Sequence, residues 1–233
     1  SHLLIVILCV NLTCTTLIVH CKGKAFYLMR NRFVFIFAKK KSMVLSLEQI
    51  IQICNAKSVI GENLVNTINL KETQIHHLLY DSRRLNFTDN TIFFAFKTAD
   101  NDGHKYIKEL YNKGIRFFIC QQIPDSNKFP NAVFLLVNNT LDALQQIAKY
   151  KRENFKKEVI AITGSNGKTI IKEWVVQLAQ EDKKICYSPR SYNSQIGVSL
   201  SLWQLNSSYD LGLFEAGISR PNEMNRLQEI IQP

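Results

Sequence analysis

The chain has 233 residues, 46% of them apolar and 21% charged, the make-up of an ordinary globular protein with material for one large core or two modest ones. Its net charge of +10 suggests nucleic acid only until it is mapped. Residues 1–42 hold seven basic side chains (Lys22, Lys24, Arg30, Arg32, Lys39, Lys40, Lys41) and no acid, and the rest, 22 basic against 19 acidic residues, carries only +3. No basic stripe interleaved with aromatics follows, so no nucleic-acid partner is expected. The six cysteines form no C-x-x-C pair and no His stands at ligand spacing from one, which argues against a zinc site or a disulfide framework. Dispersed thiols in apolar surroundings fit a reduced, cytoplasmic protein.

In chain order, the first feature is Leu3–Val19, seventeen residues without a charge, at the short limit for a membrane span. Asn11, Thr13, Thr15 and Thr16 weaken that reading, and neither a basic lead-in nor a small-residue cleavage site makes it a signal peptide. A membrane anchor and an upstream extension preceding a start at Met43 both remain open; the composition favours the extension, so membrane attachment is not expected. From residue 43 onward, "LSLEQIIQICNA" spaces Leu47, Ile50, Ile51 and Cys54 as a helix with Ser46 as N-cap. "IHHLLYDSRRL" runs from a short strand into a polar turn. "TIFFAF" (91–96), "IRFFIC" (115–120) and "AVFLLV" (132–137) read as buried strands. "HKYIKELYNKG" predicts a helix closed by Gly114, and "TLDALQQIAKYKREN" a helix with Thr140 as N-cap. Strands alternating with helices imply an α/β architecture with parallel sheets. A polar joint at Lys156 and Lys157 divides residues 43–155 from 156–233.

The second part opens with "VIAITGSNGKTIIKEWVVQLAQ", which is strand, glycine-bearing turn and helix. Gly164 and Gly167 allow a tight turn whose N–H groups, with those of Ser165 and Asn166, converge on an anion at the helix N-terminus. Lys168 then places a charge on the β- and γ-phosphates and the Thr169 hydroxyl holds Mg²⁺. The usual G-x-x-x-x-G-K-[ST] spacing asks for Gly where Ile162 stands, so this is a shorter variant of the phosphate loop. Ile170, Ile171, Trp174, Val175 and Leu178 form the expected apolar face of the helix. Glu215 ends the apolar run in "YDLGLFEAGIS", where a carboxylate at the carboxyl end of a parallel strand faces the ligand crevice and completes the metal shell. Asn193, just before the helix of "NSQIGVSLSLWQL", is placed to reach phosphate or metal.

Three strings in order, "TGSNGKT" (163–169), "YNSQIGVSLSL" (192–202) and "FEAGISRPNEM" (214–224), resemble the Mur ligases of bacterial cell-wall synthesis. Upstream, "DSRRL" (81–85) and "IFFAFKTADNDGHKYI" (92–107) resemble the UDP-binding domain of that family. The resemblance implies an N-terminal UDP-substrate-binding domain over 43–155, and over 156–233 the first part of a P-loop, ATP-binding central domain. "GKTIIKEW" and "EAGISRPNEM" look most like the member that adds D-alanyl-D-alanine to UDP-N-acetylmuramoyl-tripeptide; the member adding the third amino acid to the dipeptide precursor is the alternative. It further implies ATP and Mg²⁺ as cofactors, an acyl-phosphate route, Lys168 and Asn193 as catalytic residues, Thr169 and Glu215 on the metal, and Ser82 and Arg83 on the UDP moiety. His104 is expected to order a loop. The family's later strands, second metal site and third domain have no counterpart before Pro233, so the chain reads as a front part, inactive alone, of a ligase that is monomeric at full length. Outside the family, the rivals are another P-loop kinase or hydrolase and a membrane-tethered nucleotide-binding module.

Overall fold

The computed structural model describes residues 44–218 and 223–233, with two short strands, β1 (His20–Cys21) and β2 (Lys24–Ala25), paired antiparallel ahead of them. The apolar segment Leu3–Val19 and the Ser219–Asn222 part of "FEAGISRPNEM" lie outside the described residues. β3 (Leu45–Ser46) leads into α1 (Leu47–Ile53), where Ser46 accepts from the Gln49 amide and the Gln49 side chain accepts from the Ser46 amide. This reciprocal cap satisfies two donors that a helix start leaves open.

A five-stranded sheet follows. Its members are β4 (Lys57–Ile60), β6 (His77–Leu79), β7 (Thr91–Phe94), β8 (Phe117–Cys120) and β9 (Val133–Leu136), in the order β4-β9-β8-β7-β6. The four later strands pair in parallel, whereas β4 runs antiparallel to β9; β5 (Gln74–Ile75) pairs with β3 instead. β4 has no counterpart in the sequence reading, because "KSVI" is only half-buried and lacks the unbroken apolar run of its partners. β7, β8 and β9 are buried on both faces, which is why their sequences are nearly all apolar. α2 (Ile107–Asn112) is entered through a tight turn at Gly103–Tyr106 and left through Gly114, whose φ of 105° suits glycine.

α3 (Thr140–Asn154) is capped by Asn139, not by Thr140: the Asn139 side chain accepts from the amides of Leu141 and Asp142, while Thr140 is buried at 1% exposure within the first turn. The next sheet consists of β10 (Val159–Ile162), β11 (Ile185–Tyr187) and β12 (Leu211–Glu215), parallel and ordered β10-β12-β11. α4 (Lys168–Ala179), α5 (Gln195–Leu202) and α6 (Glu223–Ile231) accompany it. The apolar face expected of α4 is rotated. Lys172 and Val176 are its buried residues, with Ile171, Val175 and Ala179 packed beside them, while Ile170 is 57% exposed. The i, i+4 stripe that meets the sheet is the one carrying a lysine, which an apolar count passes over.

The two sheets share packing. Trp203, after α5, belongs to the core under the first sheet and donates its indole N–H to the His76 carbonyl at 3.3 Å. Ile196 and Leu200 of α5 pack against that core as well. A polar chain runs between the helices, from Gln145 on α3 to Gln195 on α5 (2.9 Å) and from Gln195 to Glu223 on α6 (3.0 Å). Arg152 of α3 donates to the carbonyls of Ile231 and Gln232 (2.7 Å each), satisfying acceptors at the end of α6.

Candidate functional site

β10 and β12 are in register with Ile162 opposite Glu215, so the loop leaving β10 starts beside the carboxylate ending β12. The chain turns through Gly164 (φ 144°) and Gly167 (φ 77°) and enters α4 at Lys168. A side chain at Gly167 would meet nothing within 4 Å; the left-handed backbone, not crowding, calls for glycine there. No side chain caps α4, so its first N–H groups and the positive end of its dipole face outward over an exposed loop, Thr163–Asn166. Such an end favours a phosphate. Lys168 lies along the loop, its ammonium donating to the Gly164 carbonyl at 2.6 Å.

One residue on, the Thr169 hydroxyl donates to Glu215 Oε2 at 2.9 Å. Glu215 is fully buried, and its amide donates to Ser188 Oγ at 3.1 Å. Lys172 Nζ stands 2.9 Å from Glu215 Oε1. That approach is an ion pair without hydrogen-bond geometry, since Oε1 is buried yet accepts no hydrogen bond. Lys172 itself is 0% exposed and donates to the carbonyls of Ser188 (2.7 Å) and Arg190 (2.5 Å). Asn193 accepts at its carbonyl from the Gly217 amide (2.8 Å). A Cβ on Gly217 would come within 2.9 Å of Asn193 Cγ, so a hydrogen at residue 217 is what admits the Asn193 side chain. The structure thus gathers Lys168, Thr169, Glu215 and Asn193 at the carboxyl ends of β10 and β12.

Ser82 and Arg83 sit elsewhere, on the turn Ser82–Arg84 after β6, which Asp81 caps. Arg83 makes a bidentate pair with Asp81 (2.9 and 2.8 Å) that holds the Asp81 carboxyl below the usual carboxylate range, and its side chain is 87% exposed. Its neighbour Arg84 reaches Tyr192 Oη at 2.5 Å, and the Tyr80 and Tyr192 hydroxyls are 3.5 Å apart. This turn therefore touches the loop bearing Asn193. His104 orders its loop as expected. Its Nε2 accepts from the Gln121 amide (3.1 Å), which leaves the proton on Nδ1 for Asp102, 2.5 Å away.

Lys172, Arg84 and Tyr192 were not singled out from sequence. Lys172 repeats Lys168 four residues later, a spacing that puts both on one side of a helix, and that is the one signal the sequence offered. The donors of Thr169 and Glu215 are hard oxygens on adjoining elements, and Glu215 Oε2, which accepts from the Thr169 hydroxyl, keeps a further lone pair. Both features suit Mg²⁺, which takes one or two protein oxygens together with substrate phosphates. No group of three His, Cys, Asp or Glu able to hold a metal alone occurs among the described residues. Cys54, Cys120 and Cys186 are buried, and burial pushes the Cys54 and Cys120 thiols up to about 12, which suits packing, not nucleophilic attack.

Residues 162–233 match the family model described as the Mur ligase middle domain. A UDP-N-acetylmuramoyl-tripeptide–D-alanyl-D-alanine ligase of Haemophilus influenzae is 30% identical over 193 residues, 81% of this chain and 39% of the relative. Among solved structures, MurF from Acinetobacter baumannii superposes with a TM-score of 0.72 at 25% identity, covering 82% of this chain and 39% of that one. MurF ligase from Thermotoga maritima in complex with ADP gives 0.58 at 27% identity over 69% of this chain and 36% of that one. The chain spans about two-fifths of the length of the relatives it matches. Among the described residues no helix is long and apolar enough to cross a membrane.

Proposed function

The chain belongs to the Mur ligase family, and from that premise we propose that the protein carrying it joins D-alanyl-D-alanine to UDP-N-acetylmuramoyl-tripeptide at the expense of ATP. The observation that carries the reading is the pairing of an uncapped, lysine-bearing phosphate loop with a buried carboxylate, Thr169 to Glu215 at 2.9 Å. Residues 43–155 form the UDP-substrate part and 156–233 belong to the ATP-binding domain. The relatives' shared name supports the choice of the dipeptide-adding reaction. The protein works as a monomer in the cytoplasm, where its buried thiols stay reduced.

A carboxylate is inert to amines until one of its oxygens becomes a good leaving group. The tripeptide's terminal carboxylate takes the γ-phosphoryl group, releasing ADP, and the amine of the dipeptide displaces phosphate from the acyl phosphate. The loop amides of 164–167 and Lys168 hold the phosphates and balance charge on the transferring group, a positioning and electrostatic task. Thr169 and Glu215 hold Mg²⁺, which when bound supplies positive charge to the phosphate oxygens. Asn193, held against Gly217, orients the γ-phosphate side, and Ser82 with Arg83 holds the UDP moiety.

Lys168→Ala in the protein at its natural length tests the reading. Turnover should vanish and ADP should bind about tenfold or more weaker, given charge-assisted bonds of roughly 1.5–3 kcal/mol, while UDP-substrate binding is unchanged. Near-normal turnover would refute the phosphate assignment.

A further inference from the structure

Two lysines stand one turn apart on α4, and they face different surroundings. Lys168 lies on the exposed loop, whereas Lys172 is wholly enclosed. Around the Lys172 ammonium are Ser188 O (2.7 Å), Arg190 O (2.5 Å), Glu215 Oε1 (2.9 Å) and Glu173 Oε1 (3.1 Å). An ammonium has three protons, so these oxygens already exceed what it can serve, and none is left for a phosphate. What it touches is informative. Ser188 and Arg190 begin the loop that carries Asn193, and Arg190 holds a left-handed φ of 52° that a non-glycine residue keeps only under constraint. Glu215 divides its oxygens, with Oε1 turned to Lys172 and Oε2 to Thr169.

We propose that Lys172 is a positioning residue of the nucleotide site: it fixes the Glu215 carboxylate and the 188–193 loop so that Glu215 Oε2 and the Thr169 hydroxyl stand ready as paired oxygen donors for the divalent cation of a metal–nucleotide. The inference rests on the nucleotide reading of the same site. A carboxylate enclosed without a countercharge would be costly; Lys172 supplies that countercharge from behind and leaves the Thr169 side of the carboxylate to the cation. Because Glu173 shares the same ammonium, with its own side chain 37% exposed, the cluster of two carboxylates and one lysine keeps a net negative charge that favours a dication.

The test is calorimetric binding of ADP to the natural-length protein, with Mg²⁺ and with EDTA, for the wild type and for Lys172→Met, Lys172→Gln, Lys172→Arg and Lys168→Ala. Residues that orient a metal ligand typically govern about 10–100-fold in metal affinity. Lys172→Met is therefore expected to lose about tenfold or more of the Mg²⁺-dependent gain in ADP affinity while metal-free ADP binding stays near wild type. Lys172→Arg, which keeps the charge, should retain most of that gain. If Lys172→Met does not fold, the comparison passes to Gln and Arg, of which only Arg should keep the Mg²⁺ dependence. An equal loss with and without Mg²⁺, an undiminished Mg²⁺ gain in Lys172→Met, or equal behaviour of Gln and Arg overturns the proposal. Should Lys168→Ala weaken ADP while the Lys172 variants leave the Mg²⁺ gain intact, the positioning role fails and the nucleotide site stands. Should ADP binding be indifferent to Lys168→Ala, the nucleotide reading itself fails.

Discussion

Replacing Thr169 by valine keeps the shape of the side chain and deletes one atom's chemistry. The hydroxyl that donates to Glu215 Oε2 at 2.9 Å becomes a methyl group facing a carboxylate with no exposed surface. A hydrogen bond to a charged group contributes about 1.5–3 kcal/mol. A loss of about 2 kcal/mol is therefore expected for Thr169→Val, equivalent to about 4–8 °C in melting temperature for a chain of 150–250 residues. Thr169→Ser restores the donor and should recover most of the difference. Calorimetry of the three proteins without nucleotide measures the folding effect alone. ADP binding with Mg²⁺ should also weaken in the valine variant and return in the serine variant. A valine variant melting within 1 °C of wild type, or a serine variant no better than valine, would refute the claim that this hydroxyl and Glu215 are joined.

Gly217→Ala should drive Asn193 from its place, since the new methyl would stand 2.9 Å from Asn193 Cγ; overpacking of this kind costs about 1–3 kcal/mol, and a fall in kcat without loss of UDP-substrate affinity is the expected signature. Trp203→Leu removes a ring packed in the first core and its bond to the His76 carbonyl. A loss of about 3 kcal/mol is expected, toward the low end for truncating a large aromatic side chain, and urea melts monitored separately by probes in each sheet should show the two transitions drawing apart. Lys151 is buried, and burial lowers its ammonium from the ordinary 10.5 to about 8. Because the unfolded chain then binds more protons between those values, stability rises with pH across that window and is lowest below about 8. Between pH 8 and 9 the gain should be about 1 kcal/mol, before the raised Cys54 and Cys120 thiols oppose it, and Lys151→Met should remove it; an unchanged slope in that variant would assign the effect to another group.

Local signals carried a large part of the architecture. Buried parallel strands need unbroken apolar runs on both faces, so 91–94, 117–120 and 133–136 were legible, as was the glycine-bearing turn into α4, where Gly167 takes a left-handed backbone. The Ser46 cap was equally local, and the structure adds the reciprocal bond from Gln49. Half-buried "KSVI" was not legible, because its strand character comes from pairing with β9 and not from its own residues. Asn139 and Thr140 are both good caps, and only the burial of Thr140 in the first turn decided between them.

By itself, then, the sequence determined the alternation of strands and helices, the loop that suits phosphate, and the carboxylate expected opposite it. The tertiary structure alone decided that Ile162 and Glu215 would be neighbours in register, that Lys172 would face inward and Ile170 outward, and that Tyr192 would meet Arg84 across 108 positions of chain. The physical reason is range. Periodicity and backbone preference act over a few residues and are written in any short window. Which face of α4 meets the sheet, and which oxygens surround a lysine, depend on strand order and on segments far apart in the chain, and they exist only once those segments have packed.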